Sequence, residues 1–255
     1  MVLRYLYRMK RTVLFSVCLL LTSLSLFAQE RTVENRPYTD LRPFHFGILV
    51  GTHLQDLEFT NVGPQVLTSA DGTTQTYSIG CDQDRWDEGF QVGVLGEFRL
   101  TTVFQLRIAP TLSFGSRHIT FKNYLATEDE ARVTPTQTMK TVYFGCSFDL
   151  IFAAQRFNNH RPYLMAGFQP VVNLTGRSND YLKLNRTDGF LECGIGCDFY
   201  LPYFKLRPEL KFMYGLSNCL DTNHPSQLRD EAMIPYASAV SAAHSKMIVL
   251  TFYFE

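Results

Sequence analysis

The chain has 255 residues, and its 24 lysines and arginines balance its 24 aspartates and glutamates, so the formal net charge at pH 7 is zero. A balanced charge provides no basic surface of the kind that nucleic-acid-binding proteins carry, so we exclude nucleic acid as a partner. The mean hydropathy of −0.07 is compatible with a protein in which only alternate residues of each strand meet lipid.

The N-terminus has the features of a cleaved secretory signal peptide. Basic residues up to Arg11 precede an apolar run from Val13 to Phe27, and Ala28 offers a small residue for cleavage. The run is too short and wrongly flanked for a spanning helix, although an uncleaved anchor helix is the alternative. The predicted segments are a signal peptide (1–28), a periplasmic N-terminal segment (29–43) and one outer-membrane β-barrel domain (44–255).

After this leader, eight segments alternate large apolar residues with small or polar ones. In the clearest case, Leu191, Ile195 and Phe199 alternate with Glu192 and Asp198. A period of two indicates strands, and runs of about ten residues match the length of a tilted strand that crosses a bilayer. The predicted strands are Phe44–Gln55, Phe90–Leu100, Phe104–Gly115, Thr141–Phe152, Tyr163–Leu174, Phe190–Leu201, Phe204–Leu216 and Met247–Phe254.

The connections between these segments alternate between short and long. Those after the second, fourth and sixth strands are short, which is the pattern of bacterial outer-membrane barrels with short periplasmic turns. A soluble lipocalin-like barrel is the alternative, but its interior would be apolar and its exterior polar, the inverse of these strands. The predicted fold class is therefore all-β, an eight-stranded antiparallel transmembrane β-barrel with short periplasmic turns and long external loops.

The inward face of the predicted strands carries five acids and five bases. Because side chains fill the interior of an eight-stranded barrel, we expect these charges to form ion pairs that plug it. A conducting pore is the alternative. The predicted lumen ion-pair residues are Glu97, Arg99, Arg107, Asp149, Glu192, Asp198, Lys205, Arg207, Glu209 and Lys211.

Neither the histidines nor the cysteines suggest a catalytic or metal site. His45 and His53 lie on one strand face about 26 Å apart, and the sequence shows no Ser-His-acid grouping. Cys193 and Cys197 are about 13 Å apart along one strand, too far to hold one metal ion directly. We therefore expect no enzyme, cofactor or metal, and the sequence identifies no small-molecule substrate.

Two features of the long loops leave alternatives open. Cys81 in the first long loop and Cys219 in the fourth could form a disulfide, since barrel closure makes these loops neighbours; free thiols are the alternative. Apolar residues from Leu228 to Ala243, interrupted by Pro235, recur at near-helical spacing and indicate a short external helix. Such a helix would either cap the barrel or bind a partner.

The segment Gly196 to Phe212, GCDFYLPYFKLRPELKF, resembles the corresponding hairpin of the PorT proteins of Bacteroidetes. Four further stretches resemble that family in the same order: Phe44–Gly47, Pro110–Gly115, Asn158–Tyr163 and Met247–Glu255. The resemblance covers nearly all of the chain after the leader. It implies an outer-membrane barrel needed by the type IX secretion system, which exports proteins with C-terminal sorting domains and serves gliding motility in some relatives. It supplies no catalytic residues.

We therefore expect a non-enzymatic barrel that acts as an accessory component of type IX protein secretion, located in the cell outer membrane. Its expected partners are outer-membrane lipid and, as the resemblance implies, other components of that secretion system. A general adhesion or ligand-binding barrel of the same fold is the first alternative, and a surface lipid hydrolase is the second.

Overall fold

The computed structural model describes residues 33–68, 72, 74–125, 135–175, 180–228 and 230–255. The predicted signal peptide, residues 1–28, lies outside them, as do residues 29–32 of the predicted periplasmic segment. The fold described below is that of one compact unit of the chain, Asn35–Glu255. Within the described residues, no helix combines the length and the apolar character needed to cross a membrane.

Strands make up most of the regular structure in the described part of the chain, and each observed pairing is antiparallel. A short 3-10 helix, Thr39–Leu41, precedes the first strand. The strands are β1 (Phe44–Asn61), β2 (Pro64–Thr68), β3 (Thr74–Asp82), β4 (Asp87–Arg99), β5 (Phe104–Asn123), β6 (Thr136–Ala153), β7 (His160–Asn173), β8 (Thr187–Tyr200), β9 (Lys205–Gly215) and β10 (Val240–Phe254).

Eight of the ten described strands close into a ring. Going round it, β5 pairs with β4, then β1, β10, β9, β8, β7 and β6, and β6 pairs with β5 again. The first and last strands of the chain are joined in register from Ile48 opposite Phe254 to Thr60 opposite Ala242. This ring confirms the predicted eight-stranded antiparallel barrel.

The ring strands extend further at the long-loop end than their apolar pattern predicts. β5 continues to Asn123 and β10 begins at Val240, well outside the segments predicted for them. The first long loop also contains the hairpin β2–β3, which was not predicted and which pairs with the extension of β5, Cys81 lying opposite Phe121. The outward residues of the β5 extension, such as His118 and Thr120, are polar, so a search for lipid-facing apolar alternation does not find it.

Local hydrogen bonds fix the turns at the short-turn end. Thr101 Oγ1 accepts a hydrogen bond from the Phe104 backbone N–H at 2.9 Å, which closes the turn between β4 and β5. Between β6 and β7, Asn158 adopts a φ of 51°, a left-handed conformation that asparagine tolerates better than most residues. Between β8 and β9, the Leu201 N–H donates to the Phe204 carbonyl at 3.0 Å.

Four prolines lie inside the described ring strands: Pro162 near the start of β7, which pairs with Cys197 of β8, and three others that each coincide with a gap in the ladder on one side. Pro110 pairs with Cys146 of β6, but the β4–β5 ladder skips it. Pro170 interrupts the β6–β7 ladder and Pro208 the β8–β9 ladder in the same way. Because proline has no N–H to donate, each of these three prolines pairs with only one of its two neighbouring strands.

The outer surface of the ring is an apolar band with aromatic pairs near both edges. Near the short-turn end, the Phe44 and Phe98 rings lie 4.9 Å apart, and near the long-loop end the Phe90 and Phe114 rings lie 5.0 Å apart. Between Phe44 and Leu54, each outward residue of β1 other than Thr52 is a large exposed apolar one. Two aromatic belts around an apolar band are typical of a membrane-spanning barrel.

The predicted external helix is only partly correct. The α-helical part is a single turn, Ile234–Ala237, preceded by the 3-10 turns His224–Gln227 and Glu231–Met233. The predicted helical residues Val240 and Ala243 belong instead to β10. Pro235 is tolerated because it lies at the start of the helical turn, where no N–H partner is lost.

Candidate functional site

The interior of the barrel contains two clusters of buried charges. The cluster nearer the short-turn end, termed the short-turn cluster, is centred on Arg207. Its guanidinium contacts both carboxylate oxygens of Glu97 and both of Asp198. Lys205 Nζ lies 2.6 Å from the Glu255 carboxylate and 3.7 Å from that of Asp198. Two bases thus bind three carboxylates in a site that water does not reach.

The second cluster, termed the central cluster, is built around Arg107. Its guanidinium lies 3.1 Å from Asp149 and 2.6 Å from Glu209. The hydroxyls of Tyr163 and Tyr253 donate to the two oxygens of Glu209 at 2.6 and 2.9 Å. The Arg107 guanidinium also stacks 4.3 Å above the Tyr253 ring. One guanidinium and two tyrosine hydroxyls thus stabilise the two buried carboxylates, while Arg107 Nη1 and Asp149 Oδ1 form no hydrogen bond within the described residues.

The remaining predicted lumen residues divide into one pair and one exception. Lys211 Nζ donates to Glu192 at 3.0 Å. Arg99 ends β4 in a partly exposed position and forms no ion pair with any described residue. Apart from Arg99, each predicted lumen residue is no more than 3 % exposed. The parity of the strands therefore places these side chains inside, where each of them lies within ion-pair distance of a residue of opposite charge.

The segment before β1 covers part of the short-turn end. Arg156 donates to the Asn35 carbonyl at 2.5 Å and stacks 3.7 Å above the Tyr200 ring. The Tyr200 hydroxyl donates to Asp40 at 2.6 Å, and Asp40 also lies 3.5 Å from Arg161. Sequence reasoning missed these contacts, because they join a segment outside the strand pattern to strand ends and a turn.

Above the charged clusters, the interior becomes apolar. An apolar layer, termed the plug, is formed by Tyr143, Val171, Phe190, Met213, Met247 and Val249. Nearer the long-loop end lies a larger apolar cluster, termed the cap, which combines strand extensions with residues of the long loops. Its buried members are Leu57, Ile79, Cys81, Ile119, Phe121, Leu182, Leu184, Cys219, Leu220, Ala239, Val240 and Ala243.

Two kinds of contact hold the loops in the cap. The Phe121 ring packs against Tyr181 at 5.3 Å and against Tyr236 at 5.7 Å. The Gln137 amide donates to the Leu182 carbonyl and accepts from the Leu182 N–H, both at 2.9 Å. Here β6 extends beyond the end of its neighbour β7. The Gln137 side chain therefore provides the hydrogen bonds that satisfy the loop backbone at Leu182.

Cys81 and Cys219 lie in the cap as free thiols, so the disulfide considered from the sequence is not formed in this structure. Each is buried among apolar side chains. Burial raises the pKa of the Cys219 thiol to about 11 and that of Cys81 further still. A thiol held neutral in this way is a weak nucleophile and packs as a small apolar group.

The long-loop surface carries two open cavities. One, of about 530 Å³, is lined by Tyr181, Lys183, Asp221 and His224 among others. Lys183 Nζ lies 3.1 Å from the Asp221 carboxylate, and this hydrogen bond lowers the pKa of Asp221. The other cavity, of about 610 Å³, includes Asp82 and Asp84 in its lining.

The histidines that the sequence singled out lie apart in the interior. His45 Nδ1 is 3.7 Å from the Glu255 carboxylate, whereas His53 is buried further along β1 towards the long-loop end. At the long-loop end, His118 Nδ1 lies 2.7 Å from Asp87. Within the described ranges, no three His, Cys, Asp or Glu side chains come together as a metal-binding group.

A match to a known protein family agrees with this architecture. A family model described as outer membrane protein beta-barrel domain matches residues 27–221. No curated protein matches the chain. Among solved structures, it is similar to OprG from Pseudomonas aeruginosa, with 12 % identity over 82 % of this chain and 92 % of that one and a TM-score of 0.44. It is also similar to Neisserial surface protein A, with 12 % identity, 83 % and 98 % coverage and a TM-score of 0.40.

Proposed function

This chain belongs to the outer membrane protein beta-barrel domain family, and from that premise we propose that it is a non-enzymatic accessory component of type IX protein secretion. In this role it is a scaffold that holds other components of the export machinery at the outer membrane. The exported proteins, which carry C-terminal sorting domains, cross elsewhere.

The observation that carries the scaffold role is the packed interior. The short-turn and central clusters fill the lumen with ion-paired side chains, and the plug and cap lie above them. An eight-stranded barrel has an interior just wide enough for its own side chains. A folded cargo protein therefore has no path through it, and a role in export has to be exercised from the barrel's surfaces.

The secretion assignment depends on the resemblance to the PorT proteins, whose most specific part is the hairpin Gly196–Phe212. In the fold this stretch is the second half of β8, the Pro202–Tyr203 turn and the first part of β9. It contributes Asp198, Lys205 and Arg207 to the short-turn cluster. The hairpin that carries the resemblance thus supplies three of the five charged residues of the short-turn cluster.

The short-turn end is the surface that we propose for partner binding. Short turns of bacterial outer-membrane barrels face the periplasm, where other secretion components are reachable. Tyr38 and Tyr203 are 79 % and 92 % exposed, and Leu41 and Phe157, in the segment before β1 and the β6–β7 turn, are exposed as well. The contacts of Arg156 with Asn35 and Tyr200 hold the segment that carries Tyr38 and Leu41 in a defined position.

A general adhesion or ligand-binding barrel is the second candidate. The two open cavities on the long-loop surface favour it, since external loops are where a small barrel would contact a ligand outside the cell. In that case export would be normal without the protein, and changes in the long loops would abolish binding. A surface lipid hydrolase, the third class, would be revealed by lipid turnover with the purified barrel.

The experiment that tests the proposal is deletion of the gene in its native host, followed by comparison of secreted and periplasmic proteins. We expect unprocessed cargo with C-terminal sorting domains to accumulate in the periplasm, and the restored gene to return export to normal. Normal export in the deletion strain would refute the secretion role.

Two complementing variants then locate the surface that matters. Tyr203→Ser changes the short-turn end and should reduce export, while Val66→Ser, at an exposed position of the external hairpin, should leave export unchanged. Equal amounts of each variant in the outer membrane are the necessary control. Export lost with Val66→Ser and retained with Tyr203→Ser would place the working surface outside the cell instead.

A further inference from the structure

Arg117 is a buried cation that has only neutral partners. It is fully buried on β5, where its Nε donates to Gln55 Oε1 at 3.2 Å and its Nη2 donates to Ser245 Oγ at 2.5 Å. The third nitrogen, Nη1, forms no hydrogen bond within the described chain. Nη1 of Arg107 is unpaired too, but Arg107 and Arg207 each contact two or more carboxylates, whereas Arg117 contacts none among the described residues.

The surroundings of Arg117 are apolar on both sides. Its guanidinium lies 5.7 Å from the ring centre of Tyr143, which belongs to the plug. Two residues further along the inward face of β5 is Ile119 of the cap. Its partner Ser245 lies on β10 between Ala243 of the cap and Met247 of the plug. The charge therefore occupies a thin polar layer between two apolar ones.

The carboxylates of the interior are engaged elsewhere. Those of the short-turn and central clusters are bound by Arg207, Lys205 and Arg107, and Glu192 by Lys211. Asp188, near the long-loop end of β8, accepts hydrogen bonds from Ser217 Oγ and the Gly189 N–H. Among the described residues, no carboxylate lies within ion-pair distance of Arg117.

An arginine side chain keeps its charge in proteins, so burial does not turn it into a neutral group. A buried charge without a partner of opposite sign is strongly unfavourable in an apolar surrounding. A second buried polar atom in this region, Nδ1 of His53, also lacks a partner within the described chain. His53 precedes Gln55 by one position on the inward face of β1.

We propose that Arg117 binds a small inorganic anion, of the size of chloride, in the layer between the plug and the cap. The anion supplies the negative charge that the interior lacks at this level and accepts the free Nη1–H. Because the cap covers the layer, the ion enters as the barrel folds or when the long loops open. The site is independent of the proposed role in secretion.

The test is to refold the full-length purified chain in detergent in sodium chloride or sodium gluconate at equal ionic strength, and to measure the midpoint of heat unfolding. We expect the midpoint to rise with chloride concentration and to level off, as for any ligand bound only by the folded state. Parallel series in phosphate and in bicarbonate identify which small anion the site prefers.

The matched variants are Arg117→Met and Arg99→Met. Arg117→Met should remove the dependence on chloride, whereas Arg99→Met, which changes a partly exposed arginine outside the ion pairs, should retain it. If Arg117→Met does not fold, crystals of the unaltered protein grown in bromide give an independent answer, with an anomalous peak expected beside Arg117. Equal midpoints of the unaltered protein in gluconate and in all three anions, or bromide crystals without that peak, would overturn the proposal.

Discussion

The two ends of the barrel interior are stabilised by different physics. From the short-turn end to the middle of the barrel, Arg207 and Arg107 bind carboxylates in sites that exclude water. Near the long loops, the cap is apolar and its strand extensions pack against loop residues such as Leu182 and Leu220. Removing one partner of a buried ion pair leaves a lone charge, whereas trimming an apolar side chain leaves only a small cavity. The short-turn end should therefore be the less tolerant of substitution.

The largest effect is expected for Arg207→Met. The change leaves the Glu97 and Asp198 carboxylates buried without a base directly between them, which costs about 3 to 5 kcal/mol of unfolding free energy. The measurement is urea unfolding of the barrel in lipid vesicles, with Arg99→Met as the control, for which the change should stay within about 0.5 kcal/mol. Equal stabilities of the two variants would show that the short-turn cluster does not hold the barrel together.

The next-largest effect tests which alternate side chains of a strand face the lumen and which face lipid. Ile195 is exposed near the middle of the apolar band on β8, so Ile195→Arg should cost about 2 to 4 kcal/mol. Leu206 lies on the same outer face but close to the short-turn end of β9, so Leu206→Arg should cost only about 0 to 1 kcal/mol. The same vesicle assay measures both. A larger loss of stability for Leu206→Arg than for Ile195→Arg would mean that the apolar band is not centred near Ile195.

A smaller effect is expected in the cap. Ile119 is fully buried there, and Ile119→Val removes one methylene, which costs about 0.5 to 1.5 kcal/mol. We expect the loss to appear mainly as faster protease cleavage of the long loops, because the cap can open without unfolding of the ring. A matched change on the exposed hairpin, Val66→Ala, should not alter the cleavage rate. Unchanged cleavage of Ile119→Val would argue that the cap does not hold the loops.

The thiols give a test that depends on pH. Since burial raises the pKa of Cys219 to about 11, its thiol stays protonated at pH 8 in the folded cap and should react slowly with iodoacetamide. Reaction should speed up as pH approaches that value. The stabilising effect of keeping this thiol neutral is present below the unfolded pKa of about 8.5, and is lost as pH rises from there through the folded value. Mass spectrometry of the labelled chain, with urea-unfolded protein as control, measures the difference. Rapid labelling of Cys219 at pH 8 in the folded barrel would contradict its burial.

The smallest effect concerns the partly exposed Lys183–Asp221 pair in the lining of one long-loop cavity. Asp221→Asn should cost less than about 1 kcal/mol, and less still in high salt. Because Lys183 lowers the pKa of Asp221, the contribution is complete above the unfolded pKa of about 3.9 and disappears as pH falls through the lowered value. Heat unfolding at pH 7 and pH 3 checks both statements. A larger loss at pH 3 than at pH 7 would refute them.

The same comparison explains how much the sequence could predict. Strand parity fixes which side of the ring a residue faces, so the alternation around Glu97, Asp149 and Arg207 was sufficient to predict the ring and its charged interior. Parity does not say which base pairs with which acid. It also assigned Arg99 to the interior, although Arg99 lies at the partly exposed end of β4.

Loop-dependent features could not be predicted in the same way. The cap depends on contacts between residues far apart in the chain, such as Phe121 with Tyr236 and Gln137 with Leu182, and no local period encodes them. Arg117 was missed because β5 was predicted to end at Gly115, where the outward residues cease to be uniformly apolar. Glu255 was missed because it follows the last predicted strand, although it binds Lys205.

The central claim is that the interior is sealed, so that the barrel is not a conduit. The most direct measurement is the ionic conductance of the purified barrel in a planar lipid bilayer under an applied voltage. The account predicts no stable conductance steps above the background of the bilayer, because ion-paired side chains, the plug and the cap fill the lumen. Reproducible steps of constant size from the unaltered protein would contradict it.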